Sequence, residues 1–266
     1  MLRPKILVFS GYGLNCEEET AHAFNLAGGQ VEIIHVNDLI DGQKKLDSYQ
    51  ILAFPGGFSY GDDTGSGNAY ASKVKNYLWN EIERFLAKDH LVIGICNGFQ
   101  ILVNLGLIPA FSKQYGKRQV ALTHNNTARY IDRWVDLKVR NTSPWVREIK
   151  TIFLPIAHGE GKLFASDKIL KKLKEKKAIV FKYTRGEICK YQNLKANPNG
   201  SLQNIAGITD ETGKILGLMP HPERAIFFHH LPHWPYLKEK YLRQSKRIPK
   251  YGPGFKIFEN GVNYFN

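Results

Sequence analysis

The chain has little in it that could cross-link or anchor it. Only three cysteines occur in 266 residues, Cys16, Cys96 and Cys189. This odd, widely spaced set offers neither a disulfide framework nor a cysteine zinc cluster, and it suits a reducing, cytoplasmic compartment. Long apolar runs are also missing. Met1-Leu2-Arg3-Pro4-Lys5 leads into just four apolar residues, Ile6-Leu7-Val8-Phe9, too few for a signal-peptide core or a membrane span. No internal repeat or low-complexity tract occurs. There is no Gly-x-x-x-x-Gly-Lys-Ser/Thr loop, which argues against ATP hydrolysis by this chain. Gly11-Tyr12-Gly13 opens like a dinucleotide fingerprint but lacks the third glycine, leaving Asp38 as the one supporting feature. His229, His230 and His233 share no metal-site spacing with a carboxylate or thiol, so no metal is expected.

Acidic residues are in short supply, 24 against 37 lysines and arginines, giving a net charge of +13. The excess gathers between Lys168 and Lys177 and between Lys238 and Lys250. No RNA- or DNA-binding motif accompanies either cluster, so nucleic-acid binding is not expected. The first cluster alternates with Ile169, Leu170 and Leu173 as a surface helix would. Both clusters read as solvated faces or as faces toward an acidic protein partner.

What is present is an α/β pattern with enough apolar residues, 43%, for one sizeable core. Strands are expected at 5–9, 31–36, 51–54 and 91–95, with helices over 17–27 and 79–86. Alternation of this kind predicts a parallel sheet covered on both faces. The second half carries antiparallel signals at 135–139, 152–155, 178–183, 205–209 and 215–219, with a hairpin turn at Asp210-Glu211-Thr212-Gly213. Residues 229–254 are aromatic, basic and without clear periodicity, and a closing helix is expected over 255–265. The whole reads as one domain over 1–266, with an extension from about 229.

The most informative stretch is Gly94-Ile95-Cys96-Asn97-Gly98. It lies between the apolar run Leu91-Val92-Ile93 and the helix-like Phe99-Gln100-Ile101-Leu102-Val103. This is a Gly-x-nucleophile-x-Gly elbow, in which a tight strand-to-helix turn lifts one side chain out of the sheet. The helix N-terminus places unpaired N–H groups and partial positive charge beside the sulfur. A thiol nucleophile needs a base, and Met219-Pro220-His221-Pro222-Glu223-Arg224 supplies one, with Glu223 spaced to orient His221. Pro55-Gly56-Gly57, after a strand, offers N–H groups that with that of Asn97 could form an oxyanion hole. Gly13, Gly57, Cys96 and His221 all follow predicted strands, so they should converge on one sheet edge.

Together these residues resemble the class I, triad-type glutamine amidotransferases. More narrowly they are similar to the glutaminase branch that serves phosphoribosylformylglycinamidine synthase in purine biosynthesis. The resemblance rests on Gly13-Leu14-Asn15-Cys16-Glu17, Pro55-Gly56-Gly57-Phe58-Ser59-Tyr60-Gly61-Asp62, the elbow, Ala157-His158-Gly159-Glu160-Gly161 and Pro220-His221-Pro222-Glu223-Arg224. It implies a flavodoxin-like amidotransferase fold: a mainly parallel central sheet, helices on both faces and an antiparallel extension. It further implies Cys96 as nucleophile, His221 as base and acid, and Glu223 as orienter. Gly57 and Asn97 would supply oxyanion N–H groups, while Gln100, His158 and Gly159 would line the glutamine pocket. No cofactor is implied in this chain. ATP and Mg²⁺ would belong to a partner synthetase subunit that receives the ammonia, and the resemblance leaves room for a small third subunit. The stretch Asp63-Thr64-Gly65-Ser66-Gly67-Asn68 is closer to fused, single-chain synthases than to short bacterial subunits. Two rival readings are a stand-alone cysteine hydrolase of the DJ-1/PfpI type and a catalytically silent binding module. The former usually has histidine directly after the cysteine, where this chain has Asn97.

Overall fold

A computed structural model describes residues 3–140 and 143–266; Met1 and Leu2 of the N-terminal run lie outside the described residues. The chain opens with β1 (Lys5–Ser10), α1 (Glu17–Leu26), β2 (Gln30–His35), α2 (Val36–Ile40) and β3 (Ile51–Phe54). Then come α3 (Asn68–Leu86), β4 (Leu91–Ile95) and α4 (Asn97–Leu105). The second half contains β5 (Ala121–Thr123), β6 (Ile131–Val139), β7 (Thr151–His158), β8 (Lys162–Phe164), α5 (Asp167–Glu175) and β9 (Ile179–Thr184). It closes with α6 (Glu187–Tyr191), β10 (Ile205–Thr209), β11 (Ile215–Leu218), α7 (Trp234–Arg243) and α8 (Phe255–Asn263).

Nine strands form one sheet in the order β2-β1-β3-β4-β11-β10-β9-β6-β7, and β5 pairs with β8 in a separate ribbon. From β2 to β11 every pairing is parallel; from β11 to β7 every pairing is antiparallel. The expected parallel sheet with an antiparallel extension is therefore what forms. Its central strands β3, β4, β10 and β11 are buried at every residue, as strands covered on both faces must be, and they read as unbroken apolar runs. The hairpin turn at 210–213 joins β10 to β11, with Gly213 N–H donating to Asp210 O at 3.2 Å.

The largest departures of the helices from expectation are at α3 and α7. α3 begins at Asn68 rather than Trp79, because Tyr70, Ala71, Val74, Leu78, Ile82 and Phe85 make one buried stripe at helical spacing. α7 forms within the stretch read as aperiodic. None of its residues is buried, so the sequence carries no apolar stripe there to reveal its period. The closing helix α8 packs on α1, with Phe258 edge-on to Phe24 at 4.9 Å between ring centres.

The antiparallel end of the sheet curls back toward the parallel half. Although β7 lies five places from β4 in strand order, its end meets the turn after β4: the Cys96 thiol lies 3.6 Å from Ala157 O. The site is therefore closed on one side by β7.

Candidate active site

The elbow is built as the glycine spacing requires. Cys96 connects β4 to α4 with φ 51° and ψ −105°, a region costly for a residue with a Cβ and held only where its surroundings enforce it. Its N–H donates to Leu218 O at 2.8 Å, pinning the corner to β11. A Cβ at Gly98 would sit 1.8 Å from Phe54 O, so only glycine lets α4 rest directly on β3.

His221 arrives from the loop after β11. Its N–H donates to Pro155 O at 2.8 Å, and prolines stand on both sides of it in the chain. Its Nδ1 makes a very short contact with Glu223 Oε1, and both side chains are buried. Nε2 is left buried with no hydrogen-bond partner among the described residues, while the Cys96 sulfur is near enough to bias the ring's charge. Burial pulls the imidazole toward neutrality, but the Glu223 carboxylate and the sulfurs of Cys96 and Cys16 outweigh it. They hold the His221 pKa well above its ordinary value. The structure thus brings Cys96, His221 and Glu223 into one buried cluster.

The Pro55-Gly56-Gly57 loop, expected to bind an oxyanion, is braced by the turn after β1. Asn15 and Cys16 N–H groups both donate to Gly56 O at 3.1 Å, and Phe58 N–H donates to Gly13 O at 2.8 Å. Gly57 takes φ +156°, and a Cβ there would lie 2.5 Å from Gly13 O. Among the described residues, no hydrogen bond occupies the N–H of Gly57 or of Asn97.

The side chain of Asn97 fastens the elbow to its surroundings. Its Nδ2 donates to Gln100 Oε1 at 2.8 Å and to Asp62 Oδ1 at 3.2 Å, and its Oδ1 accepts from Ser59 N–H. Gln100 in turn donates through Nε2 to Glu160 O at 2.6 Å. Its amide is thus committed to holding the 158–160 segment against α4, a bracing role that its expected place in the pocket did not convey. His158 is buried with Nδ1 3.1 Å from Asn125 Oδ1. Burial, and then the positive charge of His221, push its pKa down to about 3, so it is neutral. Gly159 borders open space, with nothing within 4 Å of where a Cβ would project.

Sequence reasoning gave no role to several residues that the fold gathers here. Phe58 and Tyr130, 43% and 52% exposed, hold their rings 6.0 Å apart, and Tyr130 lies within electrostatic reach of Cys96 and His221. Asn125 has no motif to mark it. Cys16 lies beside the triad, and Arg224 Nη2 donates to its sulfur at 3.1 Å. Among the described residues, Cys16, His221 and Glu223 are the one group of metal-ligating side chains compact enough to surround a cation. The Arg224 guanidinium already brings positive charge to that sulfur. Cys189 stands apart: its thiol donates to Thr184 O at 3.7 Å, and burial pushes its pKa up.

Comparison with known proteins gives the family and the fold. The family described as the CobB/CobQ-like glutamine amidotransferase domain matches residues 3–265. The phosphoribosylformylglycinamidine synthase subunit PurQ of Methanococcus maripaludis is 48% identical over 266 residues, covering 99% of this chain and 99% of that protein. Its namesake from Dehalococcoides mccartyi is 41% identical, covering 99% and 98%. A solved structure of PurLQS from Thermotoga maritima superposes with a TM-score of 0.72 at 30% identity, covering both chains completely.

Proposed function

This chain belongs to the CobB/CobQ-like glutamine amidotransferase family, and from that premise we infer that it is the glutaminase subunit of a phosphoribosylformylglycinamidine synthase in purine biosynthesis. Relatives so named match it from end to end at 41–48% identity. Its partner is the synthetase subunit, in keeping with a neighbour solved as PurLQS, and a small third subunit has a place in such an assembly. The relatives are themselves separate subunits of matching length. They therefore favour a multi-chain assembly over the fused arrangement that residues 63–68 bring to mind.

The observation that carries the chemistry is the buried cluster of Cys96, His221 and Glu223 beside two unoccupied N–H groups. In the proposed reaction the Cys96 sulfur attacks the side-chain amide carbon of glutamine, and its proton passes to His221 Nε2. Glu223 on Nδ1 fixes the tautomer that leaves Nε2 free to accept. The developing oxyanion receives the N–H groups of Gly57 and Asn97, helped by the N-terminus of α4. Collapse breaks the carbon–nitrogen bond, and the imidazolium returns its proton to the departing nitrogen, releasing ammonia. Water, deprotonated by His221, then cleaves the glutamyl thioester to glutamate and restores the thiol. The raised proton affinity of His221 suits the first transfer, and a neutral His158 places no competing charge beside the imidazolium. Asn97, bound to Asp62 and Gln100, occupies the place where the rival cysteine hydrolases usually carry histidine.

In this reading the chain needs no cofactor of its own, and ATP and Mg²⁺ belong to the synthetase subunit. The 1–266 unit is one domain, supported by α8 packing into the core. No described helix is long and apolar enough to cross a membrane, and three free cysteines favour the cytoplasm. The test is covalent labelling with a reactive glutamine analogue followed by peptide mapping. Label is expected on Cys96; label on Cys16 or Cys189 in its place contradicts the assignment.

A further inference from the structure

Cys16 takes part in no step above, yet it is as closely built into the site as the triad itself. Its side chain is 1% exposed. Its Sγ, a ring nitrogen of His221 and a carboxylate oxygen of Glu223 all lie within 4.8 Å of one another. A side chain at Gly56 would meet His221 Cε1 at 2.8 Å and Cys16 Sγ at 3.2 Å, so sulfur and ring share one wall of the oxyanion loop. The sulfur is held from several directions. Arg224 Nη2 donates to it at 3.1 Å, and Asn15 Oδ1 lies 3.5 Å away. The Cys16 backbone is fixed by its N–H on Gly56 O and by Thr20 Oγ1, which donates to its carbonyl at 2.7 Å. The same guanidinium lies 3.9 Å from Glu223 Oε1 through Nε, so it ties the sulfur to the carboxylate that holds the imidazole.

The imidazole needs such a neighbour. Glu223 fixes it at Nδ1, and the sulfurs of Cys96 and Cys16 are the other groups that bear on the ring's orientation and charge. The groups facing the ring are Glu223, Cys96, Cys16, His158 and Tyr130, with Arg224 reaching both Cys16 and Glu223. Glu223 and Cys96 are already assigned, His158 is neutral, and Tyr130 is half-exposed. Cys16 is the remaining buried group with a polarisable, electron-rich atom, which can pack against a cationic ring as well as a neutral one.

We propose that Cys16 is a positioning residue for glutamine cleavage: its sulfur, anchored by Arg224, sets the tilt of His221 between Glu223 and Cys96 and favours the imidazolium formed during the reaction. The proposal rests on the glutaminase reading above. It turns the Asn15-Cys16 turn from a brace of the oxyanion loop into part of the machinery that seats the base. A small misplacement of a reacting group can cost about 10²-fold in rate.

The experiment uses the chain assembled with its synthetase partner and compares wild type, Cys16→Ala, Cys16→Ser and Cys96→Ser in glutamine-dependent and ammonia-dependent synthesis. Cys16→Ala is expected to lower kcat with glutamine by about tenfold or more, with KM moving less than about twofold. The alkaline limb of the kcat profile, where His221 loses the proton destined for the leaving nitrogen, should shift to lower pH. Cys16→Ser, which keeps an acceptor for Arg224, should regain most of the rate, and ammonia-dependent synthesis should be unchanged in both. Wild-type kcat and an unmoved alkaline limb in Cys16→Ala would overturn the proposal. So would parallel loss of both activities, or failure of both variants to fold, either of which would assign Cys16 to the core. Glutamine-dependent activity surviving in Cys96→Ser would overturn the glutaminase reading itself, whereas an inactive Cys96→Ser beside a wild-type-like Cys16→Ala would sink only the role given to Cys16.

Discussion

Cys96 is held at φ 51° and ψ −105° because its neighbours leave no alternative, and Gly98 is the residue that makes the corner possible. Gly98→Ala would put a methyl group 1.8 Å from Phe54 O, forcing α4 off β3. We expect a loss of about 3 kcal/mol or more in denaturant unfolding; an unchanged midpoint would contradict the close approach. His158 makes a second residue-scale prediction. Its folded pKa, about 3, lies below the ordinary 6.5, so between these values the unfolded chain binds a proton that the native chain refuses. Stability from this group is complete above about pH 6.5 and falls as the pH drops toward 3. His158→Gln should remove up to about one proton from the acid-side slope of stability against pH, and an unaltered slope would show that His158 titrates normally. At this scale the meeting of Cys96, His221 and Glu223 was legible because elbow glycines and a proline-flanked histidine have steric and chemical signatures. Asn125 and Tyr130 were not, and Cys16 stood out only as part of the Gly13–Glu17 motif, since what each does comes from which side chains the fold brings beside it.

At the scale of elements, the apolar pattern announced most of the sheet. Strands β3, β4, β10 and β11 are buried on both faces and stood out as short apolar runs, and the 210–213 turn marked its hairpin. α3 could have been read from its stripe beginning at Tyr70. α7 could not, because no side chain in it is buried. The curl that sets the end of β7 against Cys96 was also invisible, since sequence shows strand propensity but not how far a sheet coils. α8 belongs to the core through Phe258, which is fully buried against Phe24. Phe258→Ala should cost about 3–5 kcal/mol in chemical denaturation; a loss below about 1 kcal/mol would make α8 an appendage.

For the molecule as a whole, the charge of +13 is surplus to the chemistry of the site and bears on assembly. Oppositely charged faces raise association rates in a way that salt screens. Association of this chain with its synthetase partner should therefore slow markedly as ionic strength rises, measured by stopped-flow or surface binding. A rate indifferent to salt would mean that the basic clusters face only solvent.

Generation of ammonia at Cys96 for use elsewhere in the complex is the function proposed for this chain. It is tested most directly by the nitrogen source that the assembled synthase can use once Cys96 is replaced by serine. Glutamine is expected no longer to support product formation, while added ammonia supports it at the wild-type rate. Retained use of glutamine, or loss of both nitrogen sources together, would contradict that function.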